Sequence, residues 1–166
     1  MIEKIQKARE KVLNSVRHLS DEQLNEKPGK GKWSIAQVLE HLYLMEMNTV
    51  DGIMETLSKN EYNPTEEKPI HQMLDRTIKR VAPDDLAPSD KFQTLDELER
   101  KLNNSREALI KSIEGVSEED LENKSFIHRR YGLLSIRQWV LLIGYHEERH
   151  LQQIEEIKEK LLKKVN

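Results

Sequence analysis

Four stretches of this chain carry apolar residues at steps of three and four, a 3.6-residue period that commits most of its length to amphipathic helices. In the first, Ile5, Ala8, Val12, Val16 and Leu19 form one stripe of a helix over about 2–18. In the second, Ile35, Val38, Leu42, Met45, Thr49 and Ile53 follow Ser34. The Ser34 hydroxyl can cap the first turn while Gln37 completes a capping box, so this helix covers about 34–58. The third stripe, Leu95, Leu98, Leu102, Leu109, Ile113 and Val116, stands behind Thr94 and spans about 94–115. The fourth opens at Ser135, with Gln138 again three residues on, and carries Ile136, Val140, Ile143, Ile154, Ile157 and Leu161 toward the C-terminus.

At 166 residues the chain is expected to form a single domain over 1–166. Only 6 Gly and 5 Pro are present, too few for the turns of a sandwich or barrel. Four of those prolines, Pro64, Pro69, Pro83 and Pro88, fall between the second and third helices, so that segment is a crossover rather than one regular element. Within it Ile70, Met73, Leu74, Ile78 and Val81 predict a short helix over 70–81. A weak internal repeat supports two helical hairpins. Leu19-Ser20-Asp21-Glu22-Gln23-Leu24 reads like Val116-Ser117-Glu118-Glu119-Asp120-Leu121, and Ser34-Ile35-Ala36-Gln37 echoes Ser135-Ile136-Arg137-Gln138. The expected class is all-α: a four-helix bundle with one long crossover between helices two and three.

The balance of 27 basic against 30 acidic side chains argues against a nucleic-acid partner. No run of 18 apolar residues exists, and Met1-Ile2-Glu3-Lys4-Ile5-Gln6-Lys7 lacks the core of a signal peptide, so a cytoplasmic protein with no membrane partner is expected. The absence of cysteine excludes disulfides, thiolate metal sites and a protein thiol nucleophile.

Three polar residues, His146, Glu147 and His150, fall on the apolar stripe of the fourth helix. Unpaired buried polar groups cost about 1–3 kcal/mol each, so a bundle keeps such residues only if they are satisfied together. His146 and His150, four apart on one helix face, are spaced to converge on one cation, with His41 on the second helix as the natural third ligand. The other reading is a hydrogen-bonded set of core histidines with Glu147 as acceptor. His146-Glu147-Glu148-Arg149-His150 also matches H-E-x-x-H, but no His follows His150 and no substrate-binding strand is expected in an all-helical chain. Glu147 remains a candidate base, or an acceptor that holds an imidazole tautomer. His128, just before the fourth helix, is placed to approach the mouth of the site as a substrate contact, and is the first suspect for a fourth ligand. Arg106 has three readings: a snorkelling guanidinium, a contact to an anionic substrate, or a pair with Glu147.

Lys32-Trp33-Ser34-Ile35-Ala36-Gln37-Val38-Leu39-Glu40-His41-Leu42, together with Tyr131-Gly132, Leu134-Ser135-Ile136-Arg137-Gln138-Trp139 and His146-Glu147-Glu148-Arg149-His150-Leu151-Gln152-Gln153-Ile154, resembles the DinB/YfiT superfamily of four-helix-bundle metalloproteins. The resemblance covers essentially the whole chain. It implies helices running up-down-down-up, His41, His146 and His150 as ligands of a divalent transition metal such as nickel or zinc, and a homodimer. It further implies a small-molecule substrate, and either metal-dependent hydrolysis or transfer of a low-molecular-weight thiol such as bacillithiol. The competing class is a non-catalytic bundle whose metal or polar cluster is structural, but a structural zinc site normally has four protein ligands and only three are evident here.

Overall fold

The computed structural model describes residues 1–165, so the last residue of the expected 1–166 domain lies outside the described residues. Four long helices, α1 (Ile2–Val16), α3 (Ile35–Ser58), α4 (Leu95–Ile113) and α6 (Ile136–Val165), coincide with the four stripes. Two short helices, α2 (Asp21–Asn25) and α5 (Glu118–Asn123), occupy the repeated acidic turns, each capped by its serine, Ser20 or Ser117. Capping boxes close at Ser34/Gln37 and Thr94/Glu97. At the fourth helix the box is only half formed. Ser135 Oγ accepts from the Gln138 N–H at 3.1 Å, but the Gln138 side chain turns to the crossover, where it accepts from Lys68 N and donates to Lys68 O.

Two apolar layers set the helix directions. Val12 and Val16 of α1 pack with Leu39 and Leu42 of α3, Leu98 and Leu102 of α4, and Ile154 and Leu161 of α6. Ile5 packs with Val50 and Ile53, Leu109 and Ile113, and Ile136, Val140 and Ile143. The C-terminal halves of α1 and α6 therefore meet the N-terminal halves of α3 and α4, which is the up-down-down-up arrangement. α3 packs most closely on α4, and α1 on α6. Both pairs are parallel. The chain leaving α3 must therefore return along a helix of 24 residues, about 36 Å, before α4 begins, which is why this bundle needs a long crossover.

The crossover does not contain the helix expected over 70–81. A 3-10 turn covers Ile70–Leu74, a second covers Asp84–Leu86, and the residues between are irregular. Ile70 and Met73 are buried as their spacing suggested. The Arg149 guanidinium, however, donates to the carbonyls of Met73, Asp75 and Ile78 at 2.9–3.0 Å, groups that a helix would have used internally. Asp75 also accepts from the Thr77 N–H at 3.0 Å, closing a local turn.

A second departure is a hairpin, β1 (Ser125–His128) and β2 (Gly132–Ser135), in a chain read as purely helical. Gly132, at φ +74°, reverses the chain. Phe126 stacks on Trp139 with ring centroids 4.4 Å apart, and the Trp139 indole donates to the Phe126 carbonyl at 3.1 Å. Gly52 makes room for this seat: a Cβ there would lie 2.2 Å from the Phe126 ring. Among the described residues, no helix is long and apolar enough to cross a membrane.

Candidate metal centre

His41 lies in the second turn of α3, and His146 and His150 on successive turns of α6, all three buried where the helices face one another. Their ring nitrogens converge. His146 Nε2 stands 3.2 Å from His41 Nε2 and 3.1 Å from His150 Nε2, and the three donor atoms lie within 4.8 Å of one another. No other His, Asp or Glu joins this group among the described residues.

The outer hydrogen bonds decide what the converging atoms are. His41 Nδ1 faces the Leu86 carbonyl at 3.0 Å, and a carbonyl only accepts, so the proton is on Nδ1. His150 Nδ1–H likewise donates to Gln153 Oε1 at 2.7 Å. Burial lowers the pKa of His41, drives His146 well below the ordinary histidine value, and pushes His150 down to about 3, so all three rings are neutral near pH 7. Neutral rings protonated on Nδ1 present bare lone pairs from His41 and His150 to one His146 nitrogen. A proton on His146 Nε2 could bridge to one of them and would leave the other facing it unpaired. A cation accepting all three lone pairs resolves the contact, and the oriented carbonyl and amide behind the ligands are the outer partners that metal-bound imidazoles use. The residues present therefore fit a divalent metal ion that takes imidazole ligands.

Glu147 is not part of that convergence. One residue along a helix turns the side chain by about 100°, and Glu147 Oε1 accepts from Arg9 at 3.0 Å and from Arg106, while Oε2 is buried without a partner among the described residues. The same two arginines bind Glu46, with Arg9 at 2.7 Å and Arg106 at 2.6 Å, and Ser105 Oγ donates to Glu46 at 2.5 Å. Two cations and two anions neutralise one another inside the bundle. Burial, reinforced by Glu46, pushes Glu147 up to about 7 against the pull of Arg9 and Arg106. Of the three readings for Arg106, the geometry matches the pair with Glu147. Its remaining donors reach the Ile5 carbonyl and Gln6 Oε1, and its side chain is buried rather than snorkelling.

His128 lies in β1 with its ring 5.0 Å from that of Trp139 and 5.1 Å from that of Tyr131. Its Nδ1 accepts from the Arg130 and Tyr131 N–H groups at 3.0 and 3.3 Å, so it is not a fourth member of the cluster. Partial burial, then the charges of Arg80 and Arg130, lower it to about 4. His18 and His71 are exposed and far from the role of ligand.

Sequence reasoning passed over four contributors: Gln153 and the Leu86 carbonyl, which orient the outer ligands, and Arg9 and Glu46, which complete the ion-pair network. Two of these left a signal. Arg9 sits four residues after Ile5, and Glu46 lies between Leu42 and Thr49, each a charge on an apolar stripe.

The model of one protein family, the DinB superfamily, matches residues 4–154. The chain belongs to the DinB superfamily. Among relatives of this DinB-superfamily chain, the uncharacterized protein YuaE of Bacillus subtilis strain 168 is 40% identical over 154 residues, which is 93% of this chain and 94% of YuaE. OB0413 of Oceanobacillus iheyensis, provisionally named a metal-dependent hydrolase, is 26% identical over 140 residues, 84% of this chain and 73% of OB0413. YfiT from Bacillus subtilis, described as a probable metal-dependent hydrolase with an unusual four-helix bundle topology, superposes with a TM-score of 0.64 at 18% identity, covering 96% of this chain and 85% of YfiT. At that identity the likeness to YfiT speaks for the DinB fold alone.

Proposed function

We propose that this chain is a divalent-metal-dependent hydrolase of a small-molecule substrate, with His41, His146 and His150 as the ligands of zinc or nickel. The observation that carries this reading is the convergence of three neutral imidazole nitrogens with no fourth His, Asp or Glu beside them among the described residues. An ion held that way supplies Lewis acidity at an open position, where it lowers the pKa of a water or of an added thiol. The names of OB0413 and YfiT agree with the hydrolytic reading.

The chain's own residues take distinct parts. Leu86 O and Gln153 Oε1 hold the His41 and His150 rings in the tautomer that offers Nε2. We assign Glu147 and Arg106 to the ion-pair network that fixes α6 against α1, α3 and α4, rather than to proton transfer or substrate binding. His128 stays the candidate substrate contact. Its Nδ1 accepts backbone N–H groups, so the neutral ring carries its proton on Nε2, a donor suited to a substrate oxygen. A homodimer is the assembly we propose.

The test is turnover by zinc- and nickel-loaded protein on a panel of small amides and esters, beside conjugation of bacillithiol to an electrophile. Metal-dependent hydrolysis, abolished by chelation and restored by metal, supports the reading. Turnover only with added thiol assigns the site to thiol transfer, which a cysteine-free chain leaves to an external nucleophile. Metal-loaded protein inert in both arms contradicts an enzymatic role and leaves a structural ion tying α3 to α6.

A further inference from the structure

A cavity of about 120 Å³ opens beside the histidines, and two of its walls are the residues that touch them. Trp33, which lines it, packs its ring 5.1 Å from that of His41, and Gln153, which also lines it, accepts the His150 hydrogen bond. From there it runs along α6 past Glu156 to Lys160. Ten residues of helix from His150 place that far end about 15 Å from the ligand. Lys32, just before the Ser34 cap, and Arg76, from the crossover, also line it, with Pro28 and Ile157 as its apolar part.

Its charge is opposite to that of the chain. Three cations, Lys32, Arg76 and Lys160, face a single carboxylate, Glu156, in a protein of net charge −3. Arg76 satisfies that carboxylate, with Nη1 2.5 Å from Glu156 Oε1, while Lys32 and Lys160 form no ion pair among the described residues. A concave wall with two unmatched ammonium groups, an aromatic face and an amide donor is suited to an anion carried by a small organic molecule.

We propose that this cavity is a subsite for the anionic group, carboxylate or phosphate, of the substrate that reacts at the three histidines. The inference rests on the functional reading above and adds the substrate class. The substrate is a small acid or phosphate ester whose charged end lies among Lys32, Arg76 and Lys160 and whose reacting bond reaches the His41 side of Trp33.

The test follows the indole N–H of Trp33 and the side-chain amide of Gln153 by NMR during titration with inorganic phosphate and, separately, acetate. It uses metal-free and zinc-loaded wild type beside the double variant Lys32→Gln/Lys160→Gln, with zinc content measured on each. The expected result is a saturable shift at Trp33 in metal-free and loaded wild type, weakened about tenfold in the double variant, with equal zinc in both proteins. The anion that binds more tightly identifies phosphate or carboxylate as the preferred group. Zinc-loaded wild type with no saturable shift at Trp33, or a double variant of unchanged affinity, overturns the subsite and leaves the metal centre standing. Wild type that takes up no zinc overturns the functional reading beneath it.

Discussion

The Nε2 atoms of His41 and His146 stand 3.2 Å apart across 105 positions of sequence, and His150 Nε2 stands 3.1 Å from the same His146 nitrogen. Such a contact persists only because α3 and α6 are held against each other by apolar layers on either side of it and because the outer rings are oriented from behind. His41 is held by a backbone carbonyl that no side-chain substitution removes; His150 is held by a side chain.

Gln153 is therefore the residue to change. Gln153→Ala removes the acceptor at 2.7 Å from His150 Nδ1 without touching a ligand. Outer partners of metal-bound histidines are worth roughly 10- to 100-fold in metal affinity. Competition with a chelator of known affinity is expected to show zinc bound that much more weakly than in wild type, with the fold intact by circular dichroism. Affinity equal to wild type would mean that Gln153 does not orient the ligand.

The placement of Glu147 separates two roles that the H-E-x-x-H string confuses. Glu147→Gln is expected to keep the metal stoichiometry of wild type, because the carboxylate faces Arg9 and Arg106 rather than the histidines. Arg106→Ala leaves Glu46 and Glu147 sharing Arg9 alone, and breaking a buried pair by removing one partner costs about 3–5 kcal/mol. Urea denaturation should show that loss for Arg106→Ala, with zinc still taken up by the folded fraction. Loss of metal in Glu147→Gln would place the carboxylate in the ion's coordination shell instead.

Acidity acts on the metal-free protein with a definite sign. His41, His146 and His150 titrate below 6.5 in the folded state, His150 at about 3, and His128 at about 4. The unfolded chain takes up those protons near 6.5, so below that pH it binds more protons than the folded chain, and stability is lost on acidification. Glu147 opposes this between 4.5 and about 7, where the folded chain holds its proton and the unfolded chain does not. Four histidines outweigh one glutamate. The unfolding free energy of metal-free protein from urea titrations should fall steadily from pH 6.5 to 4.5, by about 1.4 kcal/mol per pH unit for each net proton, with the urea midpoint falling in step. A midpoint that is flat or rises over that range would show that the histidines are not buried as neutral rings.

Much of this was legible in the sequence because it depends on local periods. The stripes placed four helices to within a few residues, Ser34 and Thr94 marked two starts, and the spacing of His146 and His150 put two ligands on one face. What escaped depends on partners distant in the chain. Arg9 and Glu46 looked like isolated charges, and only the bundle brings Arg9 to Glu46 and Glu147, 37 and 138 positions away. The helix expected over 70–81 had the right residues to bury, but Arg149 draws three of its carbonyls out of any helical ladder. Strands of four residues such as Ser125–His128 are too short for an alternating pattern to stand out, and the hairpin is seated by the Gly52–Phe126 approach instead.

The most direct measurement is metal content by inductively coupled plasma mass spectrometry on untagged protein reconstituted with zinc or nickel near neutral pH, beside His41→Ala and His150→Ala. Close to one equivalent in wild type, lost in both variants, is the predicted result. Wild type that binds no metal, or variants that bind as much as wild type, would contradict the assignment of these histidines as ligands and return the cluster to a hydrogen-bonded core.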